Sequence, residues 1–464
     1  MRRLLGWTIA ICLIPLASYS QTTKLQADAI VQSYLESNEL SDGTWLYSYS
    51  TILNEATIVL TGNSTISTPA SDCYAYFLDE HPLKGWSHEC RLLYVNIGTG
   101  TVLSSPINMP PNNLEDWNEH FTVEAIGTGN DNFLFELNNT NSPNTAENCY
   151  AVIISGGMNK SSNHIRYWND CSIVYRVLTQ LYGYKDENIY VIMSDGTNPG
   201  TDRRTFGSPS YDSSPLDLDN DGDDDIMYSA TKSNIGIVFD ELEEKLTQDD
   251  FLFIFSTDHG TLINNEVYLC LWNEYMSTDD FAAEVDKVNA GSMGIVMEQC
   301  FSGGFLPALS KKGRSVATAC RADESSYARG VDTYNEFIYH WISAVAGSTP
   351  EGQAVDADYN NDGYVSMKEA FDYAEQEDSK PETPLYQSVK PHYGEFLTLY
   401  GDNLCSDVYR SFQSYIWDSV IYGCNVTVSD ITVTNDALLE IESMGRTVIN
   451  GRTIIELGST LIVK

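Results

Sequence analysis

Apolar residues recur along this chain with two different spacings, and the change between them divides it. Over KLQADAIVQSYLES (24–37) they return every three or four positions, which predicts a helix. Short runs follow, TWLYSYSTIL, ATIVLTG, CYAYFLDE and CRLLYVNIGTGTVL, separated by Gly, Asn, Asp and Pro, which predicts strands joined by turns. Together they describe a small α+β domain over 21–137. The polar stretch NNTNSPNTAEN (138–148) reads as a linker.

From Tyr150 the texture changes. YAVIISGG is a continuous apolar run closed by glycines, as in a parallel strand buried on both faces. DCSIVYRVLTQLYG has helical spacing and NIYVIMSD is the next strand. Helix NIGIVFDELEEKL, strands DFLFIFSTDHG and NEVYLCLW, helix STDDFAAEVDKVN and strands MGIVMEQC and SVATAC complete the series. Such alternation predicts an α/β domain over 149–404, a mostly parallel sheet flanked by helices. Residues 425–464 return to short alternating strands punctuated by Asn-Asp, Gly and Asn-Gly. They read as a small stack of β-turn repeats, suited to docking on a surface or another protein, or to spacing.

Composition narrows the function classes. Arg2, Arg3, the apolar stretch Leu4–Ala17 and small residues before Gln21 read as a signal peptide over 1–20, hence export to a periplasm, the cell surface or the medium. The stretch is too short for a comfortable membrane span, and no second long apolar run follows. A formal net charge of −39 repels nucleic acid and anionic membranes and favours divalent cations. Removal of Cys12 with the leader leaves nine of the ten cysteines, so eight could pair and leave one reactive thiol. His88 and Cys90 fall short of a metal set, and a Cys73–Cys90 disulfide between neighbouring strands is the expected reading.

Two acidic loops match calcium chemistry. DYNNDGYVSMKE fills the EF-hand loop pattern: Asp358, Asn360 and Asp362 at positions 1, 3 and 5, the Tyr364 carbonyl at 7, Ser366 at 9 and Glu369 at 12, with Gly363 at the sharp turn. DLDNDGDDD matches through Asp217, Asp219, Asp221 and Gly222, but Tyr228 stands where the bidentate Glu belongs, leaving Asp223 or Asp225 to compensate. Neither loop offers the His or Cys that zinc prefers. Calcium here would be structural, tying insertions to the domain, and no cofactor is expected for catalysis.

Chemistry in a parallel sheet collects at the carboxyl ends of its strands. Two ends are reactive: one strand delivers His259-Gly260, and another delivers Cys300 before a glycine-rich turn. A thiol needs a nearby base to become a nucleophile, and a glycine lets a backbone N–H approach an oxyanion. These blocks resemble the legumain-type asparaginyl endopeptidases, in the same broad group as caspases. FIFSTDHGT is similar to the family's histidine block, and IVMEQCFSG to its Glu-Ala-Cys-x-Ser-Gly block, with Gln299 in place of Ala. ATACRADESSYA is similar to the stretch after the nucleophile, and YAVIISGG…NHIRYWNDCSIVY to the first strand, a substrate-binding loop and the first helix.

The resemblance implies a caspase-like three-layer sandwich, with Cys300 as nucleophile and His259 as its acid/base partner. It implies an oxyanion hole from the Gly260 and Cys300 N–H groups. Its polar pocket maps onto Arg166, Glu298 and Ser326, and onto a further acid that is Glu336 or Asp332. The family's Asn near the histidine falls one residue out of register here, at Asn163, with His164 in its slot. The implied activity is cleavage of peptides or proteins after a polar residue such as Asn, or Asp when protonated. Two other readings stand beside it: a transpeptidase or ligase using the same acyl-enzyme, and an inactive, calcium-stabilised adhesion protein. Residues 21 to about 145 are expected to act as an inhibitory pro-region, or else to recruit substrate.

Overall fold

The computed structural model describes residues 21–38, 40, 44–61, 64–84, 88–120, 146–205, 210–330, 333–389, 392–401, 408–443 and 446–463. The expected leader, most of the expected linker and Asp332 lie outside them. The chain forms two units, one of Met1–Glu80 with Glu89–Val123, the other of His81–His88 with Glu124–Lys464.

In the smaller unit, helix Lys24–Ser37 starts on a capping box in which Thr23 and Gln26 satisfy each other's backbone amides. It buries Ala27, Val31 and Leu35, one every fourth residue, against Leu46, Tyr76, Leu78, Leu93 and Val95. Those residues belong to a five-stranded antiparallel sheet in the order Val102–Ile107, Cys90–Asn96, Cys73–Asp79, Trp45–Tyr49, Trp117–His120. The expected Cys73–Cys90 disulfide is absent. Cys73 faces Asn96 and Cys90 faces Asp79, at opposite ends of the strand pair, and neither forms a disulfide. At the rise of a strand they lie roughly 20 Å apart, far beyond disulfide reach.

The larger unit is built on seven strands: β1 (Cys149–Ser155), β2 (Ile189–Met193), β3 (Ile226–Tyr228), β4 (Phe251–Thr257), β5 (Ser292–Met297), β6 (Arg314–Thr318) and β7 (Leu385–Ser388). Their order is β3-β2-β1-β4-β5-β6-β7, parallel except for β7, which runs antiparallel to β6. Alternate side chains build two cores. Ala151, Ile153, Phe253, Phe255 and Val296 pack with helices α1 (Ile165–Arg176), α4 (Glu336–Ala346) and α5 (Met367–Glu377). Val152, Ile154, Leu252, Ile254 and Ile295 pack with α2 (Lys232–Lys245) and α3 (Thr278–Val285). The result is the caspase-like three-layer sandwich, and the double burial explains the unbroken apolar runs.

Two features differ from the expectation. The run NEVYLCLW is not in the main sheet. It is the middle of a separate antiparallel sheet, Gly260–Ile263, Glu266–Leu271 and Glu274–Ser277. Asn264 and Asn265, both at positive φ, close its first hairpin as a two-residue turn that matches strand twist. The C-terminal strands begin at Val408 rather than 425, and pair in parallel from one coil to the next as three three-stranded sheets. Val426, Val428, Ile431, Val433, Leu439 and Ile441 stack inside this solenoid.

Candidate active site

Strands β4 and β5 lie side by side with Ser256 opposite Met297, so the residues that follow leave the sheet together. The Glu298 N–H still donates to the Ser256 carbonyl at 2.8 Å. Beyond this point the two chains touch at Gly260 and Cys300. A Cβ on Gly260 would lie 1.9 Å from the Cys300 carbonyl oxygen, so only glycine fits. Cys270 donates to the His259 carbonyl at 3.0 Å, which makes Gly260–Leu269 a non-hydrogen-bonded pair. The Gly260 N–H therefore points away from the hairpin partner.

His259 is held by neighbours on the loop before α1 and on its first turn. Its Nε2 lies 2.8 Å from the Ser162 carbonyl, an acceptor, which assigns the proton to Nε2 and leaves the lone pair on Nδ1. The Tyr167 hydroxyl sits 3.3 Å from Nδ1 and 3.4 Å from Nε2. Burial pushes the His259 imidazole down to about 3, and the charges of Arg166 and His88 add to the effect against the Ser162 carbonyl. The ring is therefore neutral in ordinary buffers. Asp258, at φ +98°, accepts from the His259 N–H at 2.6 Å and from the Gly157 N–H. Burial raises its carboxyl to about 8, so its contact with His259 is between neutral groups rather than an ion pair.

Cys300 is a free thiol whose Sγ accepts from the Ser326 N–H at 3.3 Å, with the Ser326 hydroxyl at 3.6 Å. All seven free cysteines among the described residues are buried, and Cys424 is disulfide-bonded. The expected pairing of eight cysteines therefore fails.

Arg166, at the second position of α1, is buried and donates from Nε to Asn335 Oδ1 at 3.2 Å and from Nη2 to the Tyr167 hydroxyl at 2.6 Å. Its Nη1 is buried with no hydrogen-bond partner. Glu298 is likewise buried. Its Oε2 accepts from the Ile338 N–H at 2.8 Å in the first turn of α4, while Oε1 has no partner. Burial raises its carboxyl far above the usual range, and nearby Asp170 and Asp378 push the same way. Two unspent polar groups are thus left, a guanidinium nitrogen of Arg166, whose charge reaches His259, and the Glu298 carboxyl two residues before Cys300.

Glu336 does not join them. Its carboxylate binds Arg329 at 3.2 Å and the Ser379 hydroxyl at 2.6 Å. Burial opposes ionisation, but hydrogen bonds from His340 and Ser379 and the Arg329 charge outweigh it, lowering the group to about 2. The residue at Arg166 is its neighbour Asn335, whose Nδ2 donates to Asp170 Oδ2 at 2.7 Å and to Thr257 Oγ1 at 3.1 Å. Asn163 spends its amide on Ser194 and the Asp202 carbonyl, and its neighbour Ser162 supplies the oxygen that meets His259. Tyr167, Asp170, Asp258 and Asn335 carried no motif of their own.

The two acidic loops differ. Asp217, Asp219 and Asp225 each offer an oxygen within 4.8 Å of the others; Asp225 is one of the two acids expected to compensate for Tyr228, and Asp221 does not join this group. In the second loop Asp358 accepts from the Asp362 and Gly363 N–H groups, Asn360 from Asp362, and Asp362 from Tyr364. Glu369 spends its oxygens on the Asn360 and Ser366 N–H groups, the latter as a capping box for α5. Both loops present oxygen donors of the kind calcium takes.

A curated-protein search finds no match. Among solved structures, protein GSU0716 from Geobacter sulfurreducens is similar at 10% identity and a TM-score of 0.35, over 53% of this chain and 96% of that one. A profile of the peptidase C13 family matches residues 149–389, just over half the chain. No helix among the described residues is long and apolar enough to cross a membrane. On the extent of that profile match, the chain belongs to the peptidase C13 family, the legumain-type cysteine endopeptidases, whose substrates are proteins.

Proposed function

We propose that the protein is an exported cysteine endopeptidase that cleaves after Asn, and after protonated Asp, through a Cys300–His259 pair. The carrying observation is the contact of Gly260 with the Cys300 carbonyl, which joins the histidine and cysteine strand ends into one centre. His259 starts neutral and takes the Cys300 proton on Nδ1, because Nε2–H is committed to Ser162. The thiolate, steadied by the Ser326 N–H, attacks the scissile carbonyl carbon. The Gly260 and Cys300 N–H groups receive the oxyanion. The imidazolium returns its proton to the leaving amine, giving a thioester. Water, deprotonated by His259, then releases the acid and restores the thiol.

The unspent groups support the specificity. An Asn side chain can accept from Arg166 Nη1 and donate to neutral Glu298. Leaving either group unpaired would carry a penalty of about 1–3 kcal/mol, which is what rejects apolar side chains. The acidic loops act as structural calcium sites, and the C-terminal solenoid, with Tyr409, Phe412 and Trp417 exposed, as a docking module. Export rests on the leader pattern over 1–20. The test is prolonged digestion of a denatured proteome by the protein and by a Cys300→Ala variant. New C-termini ending in Asn or Asp, missing with the variant, support the reading. Identical digests refute it.

A further inference from the structure

The short strand after the nucleophile's partner Ser326 has two sides. On one, Tyr327 is committed within the larger unit: its N–H donates to Glu382 at 2.9 Å, and its carbonyl accepts from the Glu336 N–H at 2.9 Å. The other side is an edge, and a distant segment of the same chain lies on it. The Ala328 N–H donates to the Leu83 carbonyl at 2.7 Å, and Lys84 pairs with Tyr327 in antiparallel sense. His81–His88 packs with the larger unit, although the chain before and after it belongs to the smaller one.

We propose that His81–Lys84 occupies the edge on which an extended substrate binds, as a built-in occupant that keeps the peptidase latent. This rests on the reading of Cys300 as the nucleophile.

Direction carries the argument. Ser326 touches Cys300 Sγ, and the strand runs away from it through Tyr327 to Ala328. A segment paired antiparallel to that strand runs toward Cys300, and Leu83–Lys84 does so. A substrate presenting its carbonyl to the thiol must run the same way, with the residues before the scissile bond lying on this edge. Strand addition uses main-chain groups, so the site cannot hold the segment and a substrate together. His81 and Lys84 close a turn, the Lys84 N–H donating to the His81 carbonyl at 2.9 Å, with Pro82 at the turn position its fixed φ favours, and the turn delivers Leu83 and Lys84 to the edge. The tether raises the effective concentration of the segment to roughly the millimolar range. The centre is closed in this state: Cys300 and Glu298 are 0% exposed, and His259 and Ser326 4%. His88, at the far end of the segment, lies near enough to His259 to affect its protonation.

The test replaces His81-Pro82-Leu83-Lys84 by Gly-Ser-Gly-Ser in the full chain, and compares it with the unaltered protein and with Leu83→Ala/Lys84→Ala. Two rates are read: alkylation of Cys300 by a peptidyl ketone electrophile, and hydrolysis of a short fluorogenic peptide. The replacement should raise both at least tenfold, while the alanine pair, which keeps the main chain, should raise them much less. Equal alkylation in all three chains overturns the proposal. Faster alkylation without hydrolysis upholds the occupied edge and refutes the peptidase reading. In the unaltered protein, hydrogen exchange at the Ala328 amide gives a check that needs no variant. Protection of tenfold or more is expected, and exchange at the rate of a free peptide overturns the proposal.

Discussion

Gly260 is the residue at which packing and chemistry coincide most closely. Its missing side chain lets the histidine-bearing turn meet the Cys300 carbonyl, and a methyl group there would force backbone against backbone. Gly260→Ala is expected to lower kcat/KM by about 100-fold or more, since displacing reacting groups by an ångström costs that much. Steady-state kinetics on a folded variant reads it. Glu298 yields a sharper discrimination. Because burial keeps its carboxyl neutral, Glu298→Gln should retain Asn cleavage within about tenfold, whereas Glu298→Ala should lose much more. Equal losses would mean that the pocket needs the charge and that its protonation is misassigned. The placement of Cys300, His259 and Gly260 at adjoining strand ends was legible because strand ends can be read from apolar runs. Asn335 was not, because its role appears only when α4 docks against α1 and Asp170. Spacing alone could not tell the residue that caps α4 from Glu336, the first residue inside it.

The elements followed their periodicities wherever both faces were buried, as in β1, β4 and β5. They departed where local turn chemistry ruled: the Asn264-Asn265 hairpin took NEVYLCLW out of the main sheet, and coil-to-coil pairing built the solenoid. The acidic loops are elements of a different kind, since their folded shape gathers carboxylates that repel. If the loops are the calcium sites proposed, calcium is expected to raise the melting temperature by several degrees, because a ligand held only by the native loops stabilises them by mass action. Asp217→Asn with Asp225→Asn should remove one part of that rise, and Asp358→Ala with Glu369→Gln another. Gln preserves the capping box of α5, so the second pair reports the metal rather than the helix start. A melting temperature indifferent to chelator would exclude both sites.

At the scale of the whole molecule, buried carboxyls set the dependence of stability on pH. Asp170 is raised to about 7 and Asp258 to about 8, both mainly by burial, and burial also raises Glu298 well above its ordinary value. Unfolded, these groups ionise near 4. Between there and about 8 the native state holds more protons, so their contribution falls as pH rises. His259, lowered to about 3, works oppositely, but only up to its unfolded value near 6.5. Above 6.5 the carboxyls set most of the slope, buried thiols such as Cys171 and Cys270, raised by burial, add to it in the same direction, and the melting temperature should fall from pH 6.5 to 8.5. A flat or rising curve would contradict the protonation assigned to Asp170 and Asp258. The −39 charge acts in the same direction through self-repulsion, and added salt should soften that part only. The central claim, that Cys300 is the nucleophile of an endopeptidase, is tested most directly by peptide mapping after reaction with a peptidyl ketone electrophile ending in Asn. The chain carrying Gly-Ser-Gly-Ser at 81–84 is used, so that latency cannot hide the thiol. One adduct per molecule, on Cys300 and lost in His259→Ala, is the expected result; no adduct, or one on another of the free cysteines, would contradict it.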